Sequence, residues 1–126
     1  MISALDHINI ETTQEKLEQS IRFYTEVLGL TKGWRPNFGV DGAWLYVDEQ
    51  PIIHLVVRAT VNSGPTGAIH HVALKASGLE ECKVTLAEQN LDYQETVVPD
   101  LSVTQLFVKD PNNVVLELNF YADSVA

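Results

Sequence analysis

Apolar and polar residues alternate along residues 68–77, Ala-Ile-His-His-Val-Ala-Leu-Lys-Ala-Ser, which is the pattern of a half-buried β-strand. Because neighbouring side chains of a strand point to opposite faces, His71 and Val72 lie on opposite sides of the expected sheet. The same register occurs in residues 4–11, where His7 precedes alternating isoleucines. Since the two patterns lie about half a chain apart, the chain reads as two copies of one unit.

Each copy is predicted to contain five elements in the order β-α-β-β-β. In the first, Thr12 and Glu15 have the spacing of a capping box, and Gly29 ends the helix. In the second, Ser77 and Glu80 repeat that spacing. The expected strands are 4–11, 30–35, 43–48 and 51–58, then 68–76, 93–98, 103–109 and 114–120. This order predicts an α+β fold of two βαβββ modules, 1–58 and 68–121, in one domain over residues 1–126.

Composition narrows the class of protein. Apolar residues at 45% and charged residues at 20% are typical of a globular domain. The net charge of −9 argues against nucleic acid and against an anionic membrane surface as partners. The start has no basic segment followed by an apolar one, and the single Cys82 forms no internal disulfide. A soluble cytoplasmic protein is therefore expected.

Four ionisable residues occupy equivalent places in the two units. The repeat relates His7 to His71, and superposing the last strands relates His54 to Glu117. Taken singly, a strand histidine is more often a hydrogen-bonded core or edge residue, and Glu117 is explained as an edge charge. Together, three imidazoles and one carboxylate suit one divalent metal ion per site, and zinc, nickel, manganese and iron(II) all accept such ligands.

Four segments carry a resemblance to a known family: Asp-His-Ile, Phe-Tyr-x-x-Val-Leu-Gly, His-Val-Ala-Leu and Asp-Pro-Asn-Asn-Val-Val-Leu-Glu-Leu. With these motifs the chain resembles the vicinal oxygen chelate superfamily of glyoxalases, bleomycin-resistance proteins and extradiol dioxygenases. The resemblance implies that each mixed sheet curls into half of a cup and that His7, His71 and Glu117 bind the metal where the halves meet. It leaves His54 as either a fourth ligand or a substrate contact.

The resemblance also implies a reaction. A substrate chelated through two neighbouring oxygens would pass through an enediolate-type intermediate, with Glu117 as the base of a lyase or isomerase. Glu11 stands where typical bacterial glyoxalases have a glutathione-holding arginine, so a glutathione substrate is not expected. An extradiol-type iron(II) dioxygenase and a non-catalytic protein that sequesters an antibiotic or metabolite stay as alternatives.

Two further expectations concern the lining of the site and its assembly. The strand register and the aromatic pattern assign substrate contacts to seven side chains, which are Asn9, Trp44, Tyr46, Lys75, Gln105, Phe107 and Asn119. Because the family usually covers exposed sheet edges by pairing chains, a homodimer is expected.

Overall fold

The computed structural model describes residues 1–122, so residues 123–126 of the expected domain lie outside the described range. The chain divides into two compact units, Met1–Asn62 and a second that begins at Ser63. Both units have the element order β-α-β-β-β, which confirms the predicted repeat and the α+β class. The assignment of both units to a single domain stays a prediction.

The first unit is a four-stranded mixed sheet with one helical segment. Its strands are β1 (Ile8–Thr12), β2 (Thr31–Gly33), β3 (Gly42–Val47) and β4 (Gln50–Val57). They lie in the order β1-β4-β3-β2, with β1 parallel to β4 and the other pairs antiparallel. The helical segment begins as a 3₁₀ turn at Gln14–Lys16, continues as α1 (Leu17–Arg22), and ends in a π-helical turn at Phe23–Val27.

The second unit repeats this arrangement. Its elements are β5 (Val72–Ala76), α2 (Leu79–Glu88), β6 (Gln94–Val98), a 3₁₀ turn at Pro99–Leu101, β7 (Val103–Lys109) and β8 (Val115–Tyr121). The strand order is β5-β8-β7-β6, again with the first pair parallel and the others antiparallel. No helix within residues 1–122 is long and apolar enough to cross a membrane.

Each unit buries the apolar face of its sheet. In the first, Leu45 and Leu55 are fully buried, and Tyr24 of the helical segment is buried with them. In the second, Leu106 faces Leu118 across β7 and β8, and both are buried. Burial of a side chain of this size contributes about 1.5–3 kcal/mol. One face of each sheet is thereby committed to the core, which leaves the opposite face to carry polar side chains.

Both strands that follow the candidate histidines begin later than the alternation predicted. β1 begins at Ile8 rather than at residue 4, and β5 begins at Val72 rather than at residue 68. His7 and His71 therefore each lie immediately before a strand. Alternation alone could not show this, because a segment entering a strand carries the same pattern before its backbone pairs with a neighbour.

The predicted helix caps are wrong in both units. Thr12 is the last residue of β1, and its buried hydroxyl lies 3.4 Å from the Ser20 hydroxyl instead of capping a helix. In the second unit the residue before the helix is Gly78, in a left-handed conformation with φ of 77°, and Ser77 is not the cap. Glycine adopts this conformation without a steric penalty, so it turns the chain where the serine was expected to do so.

Candidate functional site

Three aromatic rings of the first unit form a parallel stack on the polar face of its sheet. His54 of β4 pairs with Asn9 of β1 on one side and with Trp44 of β3 on the other. The ring of His7 lies 3.8 Å from the His54 ring, and that of Trp44 lies 4.0 Å from it, each at an interplanar angle of 12°. Only 9% of His54 is exposed, because the two flanking rings cover it.

One nitrogen of each stacked imidazole is held by a neighbouring oxygen. His7 Nδ1 lies 2.6 Å from the Asp6 carboxylate, and His54 Nε2 lies 3.0 Å from the carbonyl of Pro51. Since both oxygens accept, these nitrogens donate, and the nitrogen of each ring left free to bind a metal is Nε2 of His7 and Nδ1 of His54. Burial lowers the pKa of His54 below its usual range, and the adjacent His7 lowers it further. His54 is therefore held neutral, which is the form that binds metals.

The stacking limits what the two histidines can bind together. A metal lies about 2.0–2.1 Å from a histidine nitrogen, in the plane of the ring. Two nearly parallel rings with centroids 3.8 Å apart have planes that do not meet at such a distance. As they are oriented, His7 and His54 cannot both ligate one ion, so a ring must turn for His54 to become a fourth ligand. The donor atoms are of the kinds that bind a divalent metal. The orientation of these two rings fits a site in which His54 lies beside the ion without binding it.

The second unit brings the other two candidate ligands together. His71 Nε2 lies 3.4 Å from Glu117 Oε1, and His70 Nδ1 contacts His71 Nδ1 at 2.9 Å. The contact with Glu117 is possible because Glu117 pairs with Ala73, two residues after His71 and on the same face. Phe107, which pairs with Glu117 from β7, meets the His71 ring edge-on at 6.0 Å.

A chain of hydrogen bonds crosses three strands and ends on Glu117. Thr96 Oγ1 donates to Gln105 Oε1 at 3.0 Å, Gln105 Nε2 donates to Asn119 Oδ1 at 3.1 Å, and Asn119 Nδ2 donates to Glu117 Oε2 at 2.9 Å. An ionised carboxylate only accepts hydrogen bonds, so it sets the direction of every bond in the chain. We call these four residues the polar ladder. It fixes Oε2 of a carboxylate that is 9% exposed and leaves Oε1 toward His71.

Substitution Asn119→Leu is expected to destabilise the protein by about 1–3 kcal/mol, because it removes the partners of the Gln105 amide and of Glu117 Oε2 at a buried position. Urea unfolding measures the loss. The control is Gln94→Leu, which replaces an exposed amide on β6 that is not in the polar ladder. Equal stability of the two variants would show that the ladder contributes nothing.

The remaining predicted contacts differ in where they lie. Asn9 and Trp44 line a pocket of the first unit with a volume of about 330 Å³, together with His54. Tyr46 does not line it, because its hydroxyl donates to the carbonyl of Trp34 at 2.6 Å. Lys75 is exposed, with its Nζ 5.7 Å from the centroid of the Tyr121 ring. Gln105 and Asn119, predicted as substrate contacts, bond to each other in the polar ladder.

Sequence reasoning missed Arg35 and Phe38, which line this pocket from the segment between β2 and β3. Arg58, the residue after β4, also lines it. The arginine and phenylalanine lie in a loop without periodicity, so no alternation pointed to them. The nearest signal was the glycine pair Gly39 and Gly42, which marks a tightly turned segment beside the sheet.

The four candidate ligands thus form two equivalent pairs, His7 with His54 and His71 with Glu117. Within residues 1–122, neither unit by itself gathers three or more histidine, cysteine, aspartate or glutamate side chains that could hold a metal ion. Each unit therefore supplies at most half of the predicted set.

Comparison with known proteins gives one family. The model of the Glyoxalase/Bleomycin resistance protein/Dioxygenase superfamily matches residues 4–118. A search of curated sequences gave no match.

Among solved structures, the chain is similar to a glyoxalase family protein from Bacillus anthracis, with 22% identity, a TM-score of 0.78, and coverage of 96% of this chain and 97% of that one. It is similar to a glyoxylase/bleomycin resistance protein/dioxygenase domain from Frankia sp. EAN1pec at 17% identity and a TM-score of 0.76, covering 96% and 99%. The fosfomycin resistance protein FosX from Listeria monocytogenes, in a manganese complex, matches at 14% identity and a TM-score of 0.75, covering 97% and 95%. At these identities the structures establish the fold.

Proposed function

The chain belongs to the Glyoxalase/Bleomycin resistance protein/Dioxygenase superfamily, and on that premise we propose that it is a glyoxalase-like enzyme of the lyase or isomerase type that depends on a divalent metal. The observation that carries the proposal is the equivalent placing of His7 beside His54 and of His71 beside Glu117. Buried ionisable groups such as His54 and Glu117 are costly, and the histidine beside each of them at a matching position argues for a shared use.

His7, His71 and Glu117 would hold the ion, with zinc, nickel, manganese and iron(II) as the candidates. His54 supports them: its ring stacks on His7 and fixes the plane of that ring, while Asp6 holds the Nδ1 of His7. Contacts of this kind orient metal-binding histidines in many proteins. When bound, the ion supplies Lewis acidity toward two neighbouring oxygens of a substrate.

Glu117 would act as the base. Asn119 holds Oε2, so Oε1, when detached from the ion, would be the oxygen that takes a proton from a substrate carbon next to a carbonyl and returns it to the adjacent carbon. The net change moves one proton and leaves the oxidation level of the substrate unchanged. The FosX complex contains Mn(II) and 1S,2S-dihydroxypropylphosphonic acid, a molecule with two neighbouring hydroxyl oxygens. That supports a substrate with vicinal oxygens here as well.

The experiment that tests this proposal compares metal content and turnover of the wild type with those of His71→Ala and Glu117→Gln. Small compounds with vicinal oxygens are the substrates to screen. Neither metal binding nor turnover in the wild type would leave the non-catalytic binding protein as the better function.

A homodimer located in the cytoplasm remains part of the proposal. An unpaired sheet edge such as that of β6 is a surface that a second chain covers well. Sedimentation equilibrium at micromolar concentration is expected to give about twice the 14.0 kDa chain mass. A mass of one chain at that concentration would contradict the dimer.

A further inference from the structure

The pocket of the first unit combines positive charge with aromatic surface. Arg35 and Arg58 line it together with Phe38, Trp44, Asn9 and His54. This local charge runs against the net charge of −9 of the whole protein. A pocket with two guanidinium groups repels cations and attracts anions.

The Arg35 guanidinium is held in place. Its Nη1 donates to the carbonyl of Val40 at 3.1 Å, and its Cζ lies 5.0 Å from the centroid of the Phe38 ring. A Cβ on Gly42 would lie 2.7 Å from Nη2, so glycine at this position allows the side chain to lie against β3. A planar guanidinium fixed in this way has donors left over and is pre-organised for a carboxylate or phosphate.

The two arginines differ in how much of their charge is available. Arg58 Nε lies 3.6 Å from Glu11 Oε2, so a carboxylate of the protein offsets part of its charge. A hydrogen bond from Gln14 and the charge of Arg35 lower the pKa of the Asp41 carboxyl, but Arg35 forms no ion pair within 4.0 Å with it or with any other acidic group in the described part of the chain. The buried Nε of Arg35 has no hydrogen-bond partner in that part of the chain. Arg35 is therefore the stronger anchor for an anion.

The aromatic residues form the other part of the pocket. Phe38 lies 6.2 Å from Trp44 with the rings tilted by 42°, and 57% of Phe38 is exposed. One face of Trp44 is already stacked on His54. An exposed phenylalanine beside an indole offers a planar molecule both edge and face contacts.

We propose that this pocket binds a planar, negatively charged small molecule of the aryl carboxylate class, with the anionic group on Arg35 and the ring against Phe38 and Trp44. The inference rests on the proposed function in one respect: His54 borders the pocket, so the bound molecule is the substrate or part of it. The pocket itself is formed by the first unit alone and needs no metal.

Binding of benzoate and of its neutral isostere benzamide to chelator-treated protein, followed by NMR titration, tests the proposal. Benzoate is expected to bind at least about tenfold more tightly, the value of one charge-assisted hydrogen bond. Arg35→Gln should abolish the difference, and Phe38→Leu should weaken both ligands. The control Arg22→Gln removes the same charge from an exposed position of α1 and should change nothing. Should Arg35→Gln fail to fold, Arg58→Gln is expected to reduce the difference.

Equal binding of benzoate and benzamide, no binding of either, or an unchanged preference in Arg35→Gln would overturn the proposal. A preference that appears only after metal is added would also overturn it, because the anion would then be on the metal. If the wild type binds no metal but keeps a benzoate preference that depends on Arg35, the pocket stands and the proposed metal-dependent function falls.

Discussion

Protein prepared without chelator is expected to contain about one divalent ion per chain, and His71→Ala is expected to contain almost none. Substitutions outside the ligand shell typically reduce metal affinity roughly 10–100-fold, and removing a ligand should cost more than that. The imidazole of His71 faces Glu117 at 3.4 Å, so its loss removes one donor of the pair and leaves the carboxylate without its histidine neighbour. Elemental analysis and titration with zinc or manganese measure the change.

The chain provides a closely matched control for this experiment. His70→Ala removes the same side chain from the adjacent residue, and that ring contacts His71 Nδ1 rather than Glu117. It should lower affinity by no more than an outer contact does, roughly 10–100-fold. If both variants and the wild type contain the same negligible metal, the metal site is wrong and a metal-free binding protein becomes the better interpretation.

Glu117→Gln is expected to reduce turnover by about 10²–10⁴-fold, the usual contribution of a positioned general base. Glutamine has the same shape and still offers Asn119 an oxygen to donate to, so the polar ladder and the fold should survive. Because Glu117 is also a proposed metal ligand, the loss is assigned to the missing base only where the variant contains as much metal as the wild type. Turnover is to be measured with protein loaded separately with zinc, nickel, manganese and iron(II), and metal content determined alongside each rate.

Two observations would change this assignment. Undiminished turnover in Glu117→Gln would show that Glu117 is not the base. The control is Glu88→Gln, a change on the surface of α2 that should leave turnover unchanged. Oxygen uptake with a catechol, seen only with iron(II), would favour the extradiol dioxygenase instead. The stacking of His54 on His7 bears on that choice, because a site with three ligands leaves more positions open than one with four.

The repeat and its element order could be predicted from the sequence. Alternation with a period of two identifies which side chains share a face whatever the strand pairs with, and strand β7 was predicted at 103–109, the range that the structure has. The same reasoning related His7 to His71 and His54 to Glu117. Relating these residues needed only the positions of the matching segments along the sequence, without knowledge of which strands pair.

The ends of helices and strands were harder to predict from the sequence, because they depend on competition between weak local preferences. Thr12 has the spacing of a helix cap, yet its β-branched side chain is buried at the end of β1, and burial outweighs a cap worth about 1 kcal/mol. In the second unit, Gly78 in a left-handed conformation precedes α2, and Ser77 does not cap it. Here the turn of the backbone, which glycine allows, decides where the helix begins.

The tertiary structure decided which side chains are neighbours in the site. The stack of His7, His54 and Trp44 arises because β4 lies between β1 and β3, and the polar ladder arises because β8 pairs with β7 in a register that sets Asn119 opposite Gln105. Arg35 reaches the pocket from a loop, where side-chain direction follows no period. The sequence by itself determined which residue types occupy the polar faces, while the pairing of strands distant along the chain decided their partners, because a backbone register is shared between segments and belongs to neither alone.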